Sequence, residues 1–230
     1  MTNRKSTSAL TVVEQQRFIS VLNQLITASG DPNPYGIHVD YHRHHMDYMM
    51  HPFMGPQGVE RFLPWHRVYL LKTEAMGQAI DPQFFIPYWD WTANRQVPPF
   101  LANFLPNIRT PAPHIGVTRH PGPSNQLPTA ADINTVKNQS ANFDDFTNAI
   151  DAPHGQVHNW MGGTMSNNQD SPADPIFWTH HGMIDKIWAE WQVNHPGQNS
   201  NPSPAWRQLK PWAETVAQVR DISALGYAYV

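Results

Sequence analysis

The chain has 230 residues, a formal net charge of −3 and only 14 % charged residues, with 22 prolines and no cysteine. That length predicts one domain over residues 1–230, with its core motifs between about 10 and 195. No basic block is present, which argues against nucleic acid as a partner. No apolar stretch reaches the roughly 20 residues of a membrane span, and the first residues lack the apolar core of a secretory signal. We therefore expect a cytoplasmic protein without a membrane partner.

Helical periodicity dominates the first third of the chain. Apolar residues at three- and four-residue steps predict an amphipathic helix over Leu10–Ile26. A second helix is expected over His38–Met50, with a polar face made mostly of imidazoles. A third is expected over Val68–Ile80, with Pro64 near its first turn, which would put His66 near the helix start.

The middle of the chain is interrupted by prolines. Ten of them between Asp81 and about Ala141 forbid long helices and central strands, so we expect a long irregular excursion over the core. Phe143–Ile150 is a short helix candidate, and His154–Met161 predicts another turn or two. Asp174-Pro175 signals the start of a last long helix that carries His181.

The unusual feature of the composition is histidine, with 13 of them against 15 lysines and arginines. His154 and His158 are four residues apart, so on a helix both rings project from one face and can share a metal ion. His181, on the next helix, would complete a three-nitrogen site. Without cysteine, any metal must be held by nitrogen or oxygen.

A second group of histidines lies in the first half of the chain. His66 and His51 stand at the ends of predicted helices and are placed to point toward one position. The third ligand must come from His38, His42, His44 or His45. We favour His42, with His45 as the main alternative.

Two groups of three neutral imidazoles restrict the choice of metal. Imidazole suits zinc, copper, iron and nickel, whereas magnesium and calcium prefer oxygen ligands. The Glu-x-x-His motifs of di-iron bundles are absent. Two copper ions fit the whole set best, because two three-coordinate ions with facing open positions can bind dioxygen between them.

Several motifs occur together in a fixed order. They are Phe62-Leu63-Pro64-Trp65-His66-Arg67, Pro87-Tyr88-Trp89-Asp90-Trp91, His154-Gly155-Gln156-Val157-His158, Gly162-Gly163-Thr164-Met165, and Ser171–His181 followed by Asp185 and Trp188. In this the chain resembles a short single-domain form of the tyrosinase and catechol oxidase family of type-3 dinuclear copper proteins. The resemblance extends from about Leu10 to Trp191.

The resemblance implies a mainly α-helical fold with a central four-helix bundle, a dinuclear copper centre and long proline-rich loops. It implies that copper A is held by His42, His51 and His66, and copper B by His154, His158 and His181. In the family the second histidine of the adjacent pair binds the metal, so His180 is expected beside the site. Arg67 and Asp185 would orient or neutralise it.

The implied activity is that of a polyphenol oxidase, in which dioxygen is the co-substrate and a small phenol the substrate. O-diphenols are oxidised to o-quinones, with or without prior ortho-hydroxylation of monophenols. The alternatives are an o-aminophenol oxidase and a reversible oxygen carrier of the haemocyanin type. The sequence identifies no copper-delivery partner.

One position departs from the family pattern. Where hydroxylation occurs, the family is associated with an asparagine directly after the first copper B histidine, acting with an upstream acid and a water. This chain has Gly155 there, which weakens the expectation of hydroxylation. Asp151 or Asp145 could supply the acid, and Asn159 could orient a water in place of the missing amide.

Overall fold

The computed structural model describes residues 1–230. The α-helices are α1 (Val12–Thr27), α2 (Pro34–Asp40), α3 (His45–Tyr48), α4 (Pro56–Gln78), α5 (Ala130–Gln139), α6 (Phe143–Met161) and α7 (Ile176–Asn194). The strands are β1 (Thr2–Arg4), β2 (Asn107–Ile108), β3 (Ile115–Gly116) and β4 (Tyr227–Tyr229). Short 3₁₀ turns lie between them, and the mainly α-helical class is confirmed.

Helix α1 begins and ends within two residues of its predicted bounds. Thr11 and Glu14 form a capping box, in which each side chain accepts a hydrogen bond from the other residue's backbone N–H. The buried residues are Phe18, Val21, Leu22, Leu25 and Ile26. They form the apolar stripe that the sequence pattern indicated.

The predicted start of the third helix is wrong. Helix α4 begins at Pro56, so Pro64 lies inside it and His66 lies near its middle. Proline at position 64 removes the N–H that would bond the carbonyl of Glu60. The Ser200 hydroxyl donates to that carbonyl at 2.5 Å, so the interruption leaves no unsatisfied acceptor.

The predicted helix over His38–Met50 is also wrong as a single element. Asn33 caps the N-terminus of helix α2, and this helix ends at Asp40. A 3₁₀ turn over Tyr41–His44 follows, and then the single turn of α3. Because the backbone changes its winding here, the histidines of this stretch point in different directions.

Two further corrections concern the second half. Phe143–Ile150 and His154–Met161 belong to one helix, α6, which contains Pro153. Within the stretch expected to be irregular, α5 forms behind a capping box between Thr129 and Asp132. Its single buried residue is Ile133, so apolar periodicity did not reveal it.

Helix α4 lies at the centre of the fold and contacts α1, α6 and α7. The Tyr69 hydroxyl of α4 also donates to the backbone carbonyl of His38, in α2. These packed helices α2, α4, α6 and α7 form the bundle. The core around them contains fully buried tryptophans, namely Trp65, Trp89, Trp91, Trp178, Trp188 and Trp191. No helix combines the length and apolar composition required to cross a bilayer.

The two chain ends meet on the same side of the bundle. Strand β1 pairs with β4 in parallel, with Thr2 opposite Tyr227 and Arg4 opposite Tyr229. This pairing brings Arg4 and both tyrosines against α7, where their side chains surround Asp185.

Candidate metal centre

The first histidine group joins three different local structures. His42 comes from the 3₁₀ turn, His51 from the extended residue before the next turn, and His66 from the middle of α4. All three are buried, and one nitrogen of each lies within 4.8 Å of the others. This triad is the arrangement predicted for copper A.

Hydrogen bonding selects the free nitrogen of His66. Its Nδ1 lies 2.8 Å from the carbonyl of Phe62. Because a carbonyl only accepts, Nδ1 carries the proton and Nε2 keeps its lone pair. That Nε2 lies 3.4 Å from Nε2 of His42, so a metal ion could bind both rings.

The second group is built mainly on α6 and α7. His154, His158, His180 and His181 are buried and offer nitrogens within 4.8 Å of one another. His158 Nδ1 donates to the carbonyl of Met165 at 2.7 Å. Its Nε2 then faces Nε2 of His181 at 3.4 Å.

One member of this second group is unsuited to ligation. The indole Nε1–H of Trp91 donates to Nδ1 of His180 at 3.1 Å. An indole has no acceptor, so Nδ1 of His180 must be the unprotonated nitrogen and Nε2 carries the proton. His154, His158 and His181 remain as a triad that could hold one copper ion, and His180 lies beside it, stacked on His154 at 5.4 Å.

The two triads adjoin. The rings of His66 and His181 stack with their centroids 4.4 Å apart and their planes at 11°, and His51 lies 6.5 Å from His154. Metal ions held by the two triads would therefore be close neighbours.

Unpaired buried nitrogens provide a test of whether metal ions fit. The nitrogens without a hydrogen-bond partner include His42 Nδ1, His51 Nε2, His181 Nδ1 and both nitrogens of His154. Leaving such a group unsatisfied costs about 1–3 kcal/mol. A metal ion would be a partner for His51 Nε2 and for one nitrogen of His154, whereas in His42 and His181 it is Nε2, and not the unpaired Nδ1, that faces the triad. Burial lowers the pKa of His66 to about 3 and lowers those of His42, His51, His158 and His181 as well. Neutral imidazoles, without cysteine or carboxylate ligands, form a donor set that suits copper.

The alternatives to His42 lie elsewhere. His38 Nε2 is 2.8 Å from the Thr73 hydroxyl. His44 is on the surface, 3.3 Å from Asp40. The His45 ring is buried, with its centroid 5.9 Å from that of His51, but its nitrogens are not among those of the triad. The structure therefore brings His42, and none of these three, into the first group.

The three candidate catalytic positions share one side of α6. Asp151, Gly155 and Asn159 line a surface depression together with Gln126, Ala152, Gln156 and Trp160. Asp151 Oδ1 lies 3.4 Å from His154 Nδ1, so Asp151 adjoins both this depression and the second histidine group. A Cβ added at Gly155 would meet no heavy atom within 4 Å. Asp145 is exposed at the start of α6, where Asn142 donates to it at 2.7 Å.

A buried ion network connects the helices that carry His66 and His181. Arg67 Nε donates to Asp185 at 2.5 Å, while the hydroxyls of Tyr227 and Tyr229 donate to the same carboxylate at 2.7 and 2.6 Å. Burial would raise the pKa of Asp185, but Arg67, Arg4 and these hydroxyls outweigh it and lower that pKa. Arg67 and Asp185 were predicted, whereas the two tyrosines lie beyond the recognised motifs and were missed.

Comparisons with known proteins agree on one family. The family model described as the common central domain of tyrosinase matches residues 32–126 and 109–194. Tyrosinases of Streptomyces antibioticus and Streptomyces glaucescens are 31 % and 30 % identical to the chain, and each alignment covers 94 % of both proteins. A functional unit of octopus haemocyanin has the same fold, with a TM-score of 0.78 at 23 % identity, and the match covers 100 % of this chain and 68 % of that unit.

Proposed function

Because the chain belongs to the tyrosinase family of copper-dependent oxidoreductases, we propose that it oxidises o-diphenols to o-quinones with dioxygen. Two copper ions are the cofactor of this family, and they supply the dioxygen binding and the electron transfer when bound. The observation that carries the proposal is the pair of adjoining triads, with His66 stacked on His181 at 4.4 Å.

The protein contributes ligand geometry and a place for the substrate. His66 and His158 are held by backbone carbonyls, with their Nε2 atoms directed into their triads. The depression along α6 is lined by Asp151, whose carboxylate lies 3.4 Å from His154, and has a glycine where a larger side chain would narrow it.

Hydroxylation of a monophenol additionally requires that the phenol lose its proton near copper B. Gly155 offers no amide to orient a water there. The Asp151 carboxylate and the Asn159 amide line the same depression, but neither occupies the position directly after His154. We therefore propose diphenol oxidation as the main activity and monophenol hydroxylation as the weaker one.

The test measures oxygen uptake and quinone absorbance of the copper-loaded protein on catechol and on a monophenol with the same ring substitution. Rapid turnover of catechol and slow turnover of the monophenol are expected. Gly155→Asn should raise the monophenol rate relative to the catechol rate, because the open space accepts the side chain. Gly155→Ala is the matched control, since it adds a Cβ without an amide. Absence of quinone from catechol would refute the proposal.

Reversible oxygen carriage is the second candidate, because the haemocyanin unit shares the whole fold of this chain. That unit is longer, since the match covers 68 % of it. An oxygen carrier would bind dioxygen reversibly and form no quinone without added activators. The catechol assay therefore separates the two candidates.

A further inference from the structure

The six candidate ligands differ in what their ring nitrogens meet: Nδ1 lacks a hydrogen-bond partner in His42 and His181 as well, but only in His154 are both nitrogens without one. His66 and His158 each direct Nδ1–H to a backbone carbonyl. His154 is buried, and neither of its nitrogens has a hydrogen-bond partner. The charged group beside it is Asp151, whose Oδ1 lies 3.4 Å from Nδ1.

We propose that Asp151 is a positioning residue for His154: its carboxylate accepts a hydrogen bond from Nδ1–H and directs the Nε2 lone pair toward copper B. The inference rests on copper binding by this triad and is independent of which phenol is oxidised. It gives Asp151 a role in holding the metal rather than in removing the proton of a phenol.

The helix makes this contact available. Asp151 and His154 are three residues apart in α6, so their side chains are neighbours on one face. Nδ1 is bonded to Cγ, the ring carbon that is attached to Cβ, whereas Nε2 is on the far side of the ring. A ring whose Nδ1 faces the preceding turn therefore presents Nε2 away from its own helix. The His158 and His181 rings, with centroids 4.6 and 5.0 Å from that of His154, lie around it.

The distance of 3.4 Å between Asp151 Oδ1 and His154 Nδ1 is longer than a charge-assisted hydrogen bond. The Asp151 side chain is 35 % exposed, so a small rotation into contact meets little resistance. A carboxylate partner fixes both the tautomer and the orientation of a ligating imidazole and makes it a stronger donor. A backbone carbonyl orients a ring in the same way but carries no charge. His154 would thus be the ligand whose affinity for copper depends on a side chain that can be replaced.

The test measures copper retention without any phenol. Copper-loaded protein is titrated with a chelator specific for Cu(I) under reducing conditions at pH 7, and the copper remaining per chain is followed. Loss of this partner should weaken copper B about 10- to 100-fold in Asp151→Ala, the usual effect of removing such a group. The other copper should be retained as in the wild type. Asp151→Asn, which keeps an acceptor without the charge, should lie between the two.

Asp144→Ala is the matched control, because it removes an exposed carboxylate from the first turn of the same helix. Its copper retention should equal that of the wild type. His154→Ala sets the level for complete loss of copper B. Thermal unfolding of each copper-free variant checks that it is folded.

Wild-type retention of both coppers in Asp151→Ala would overturn the inference. If Asp151→Ala keeps both coppers and only its monophenol turnover falls, then Asp151 acts on the substrate instead. Failure of the proposed function is a separate result, since a protein that forms no quinone can still show the predicted copper loss.

Discussion

Acid should destabilise the copper-free protein, and His38 allows the effect to be measured at one residue outside the metal triads. His38 is buried against Tyr69 and Trp178, with Nε2 bonded to the Thr73 hydroxyl. Burial, aided by the charge of Lys72, lowers the pKa of His38 to about 3. In the unfolded chain that pKa returns to about 6.5.

The direction in which the free energy of unfolding changes with pH follows from proton uptake by the unfolded chain. Between pH 6.5 and 3 the unfolded chain binds a proton at His38 that the folded chain does not, so the free energy of unfolding falls as the pH falls. The slope approaches about 1.4 kcal/mol per pH unit for one histidine, which amounts to about 2 kcal/mol between pH 6.5 and 4.5. His66, with its pKa also near 3, adds the same amount. The other buried histidines with lowered pKa values add to it in the same direction, and they are His42, His51, His158, His180 and His181. The free energy of unfolding of a domain is about 5–15 kcal/mol in total. We therefore expect that, as the pH is lowered, the copper-free protein unfolds before pH 4 is reached.

The assay is urea unfolding of copper-free protein at several pH values from 7.5 to 5. His38→Gln lowers the overall stability, but the diagnostic quantity is the slope of the unfolding free energy against pH. Below pH 5.5 that slope should be smaller in His38→Gln by about 1.4 kcal/mol per pH unit. A destabilised variant that removes no titratable group, Ile133→Val in the core, provides the control and should keep the wild-type slope. Equal slopes for the wild type and His38→Gln would refute the reasoning.

Four further substitutions test other parts of the structure. His181→Ala should lose copper B and should show no oxygen uptake on catechol. The surface variant His44→Ala should retain its copper and its oxygen uptake. An inactive His44→Ala would overturn the choice of first-triad ligands. Asp185→Asn should lower the free energy of unfolding by about 3–5 kcal/mol, because the buried Arg67 loses its carboxylate and the buried Arg4 keeps only that of Glu74. An unchanged midpoint in urea would contradict this. Gly36→Ala should destabilise by about 1–3 kcal/mol, since its Cβ would lie 1.8 Å from the carbonyl oxygen of Arg109, and wild-type thermal unfolding would show that the backbone moves freely there.

Helix periodicity predicted the elements whose ends carry local signals. Helix α1 has its capping box, and α7 begins where Asp174 accepts a hydrogen bond from the N–H of Ile176. Two of the errors occurred at prolines. Pro64 and Pro153 lie inside long helices, and a proline is tolerated there when tertiary contacts compensate for the lost hydrogen bond. For Pro64 the compensating group is Ser200, which is 136 positions along the chain and cannot be inferred from local sequence.

The candidate site likewise has some residues that local sequence predicts and others that depend on distant contacts. Spacing was sufficient for His154 and His158, because four residues on one helix determine a shared face. It was insufficient among His38, His42 and His45, because the turn at Tyr41–His44 changes the winding and turns the rings apart. The partner of His180 is Trp91, 89 residues away, and only the folded chain shows that this indole decides which nitrogen of His180 is protonated.

The ion network around Asp185 shows why the geometry of the two triads depends on the ends of the chain. Arg67 follows the candidate ligand His66 directly, and Asp185 lies one turn after the candidate ligand His181. Their contact at 2.5 Å connects α4 and α7 at the level where those two imidazoles stack. A buried carboxylate in such a contact is stabilised by further hydrogen bonds to its oxygens. The hydroxyls of β4 and the guanidinium of Arg4, from β1, provide these for Asp185. The spacing of the two triads is therefore stabilised by the pairing of the first and last strands, although neither strand contributes a ligand.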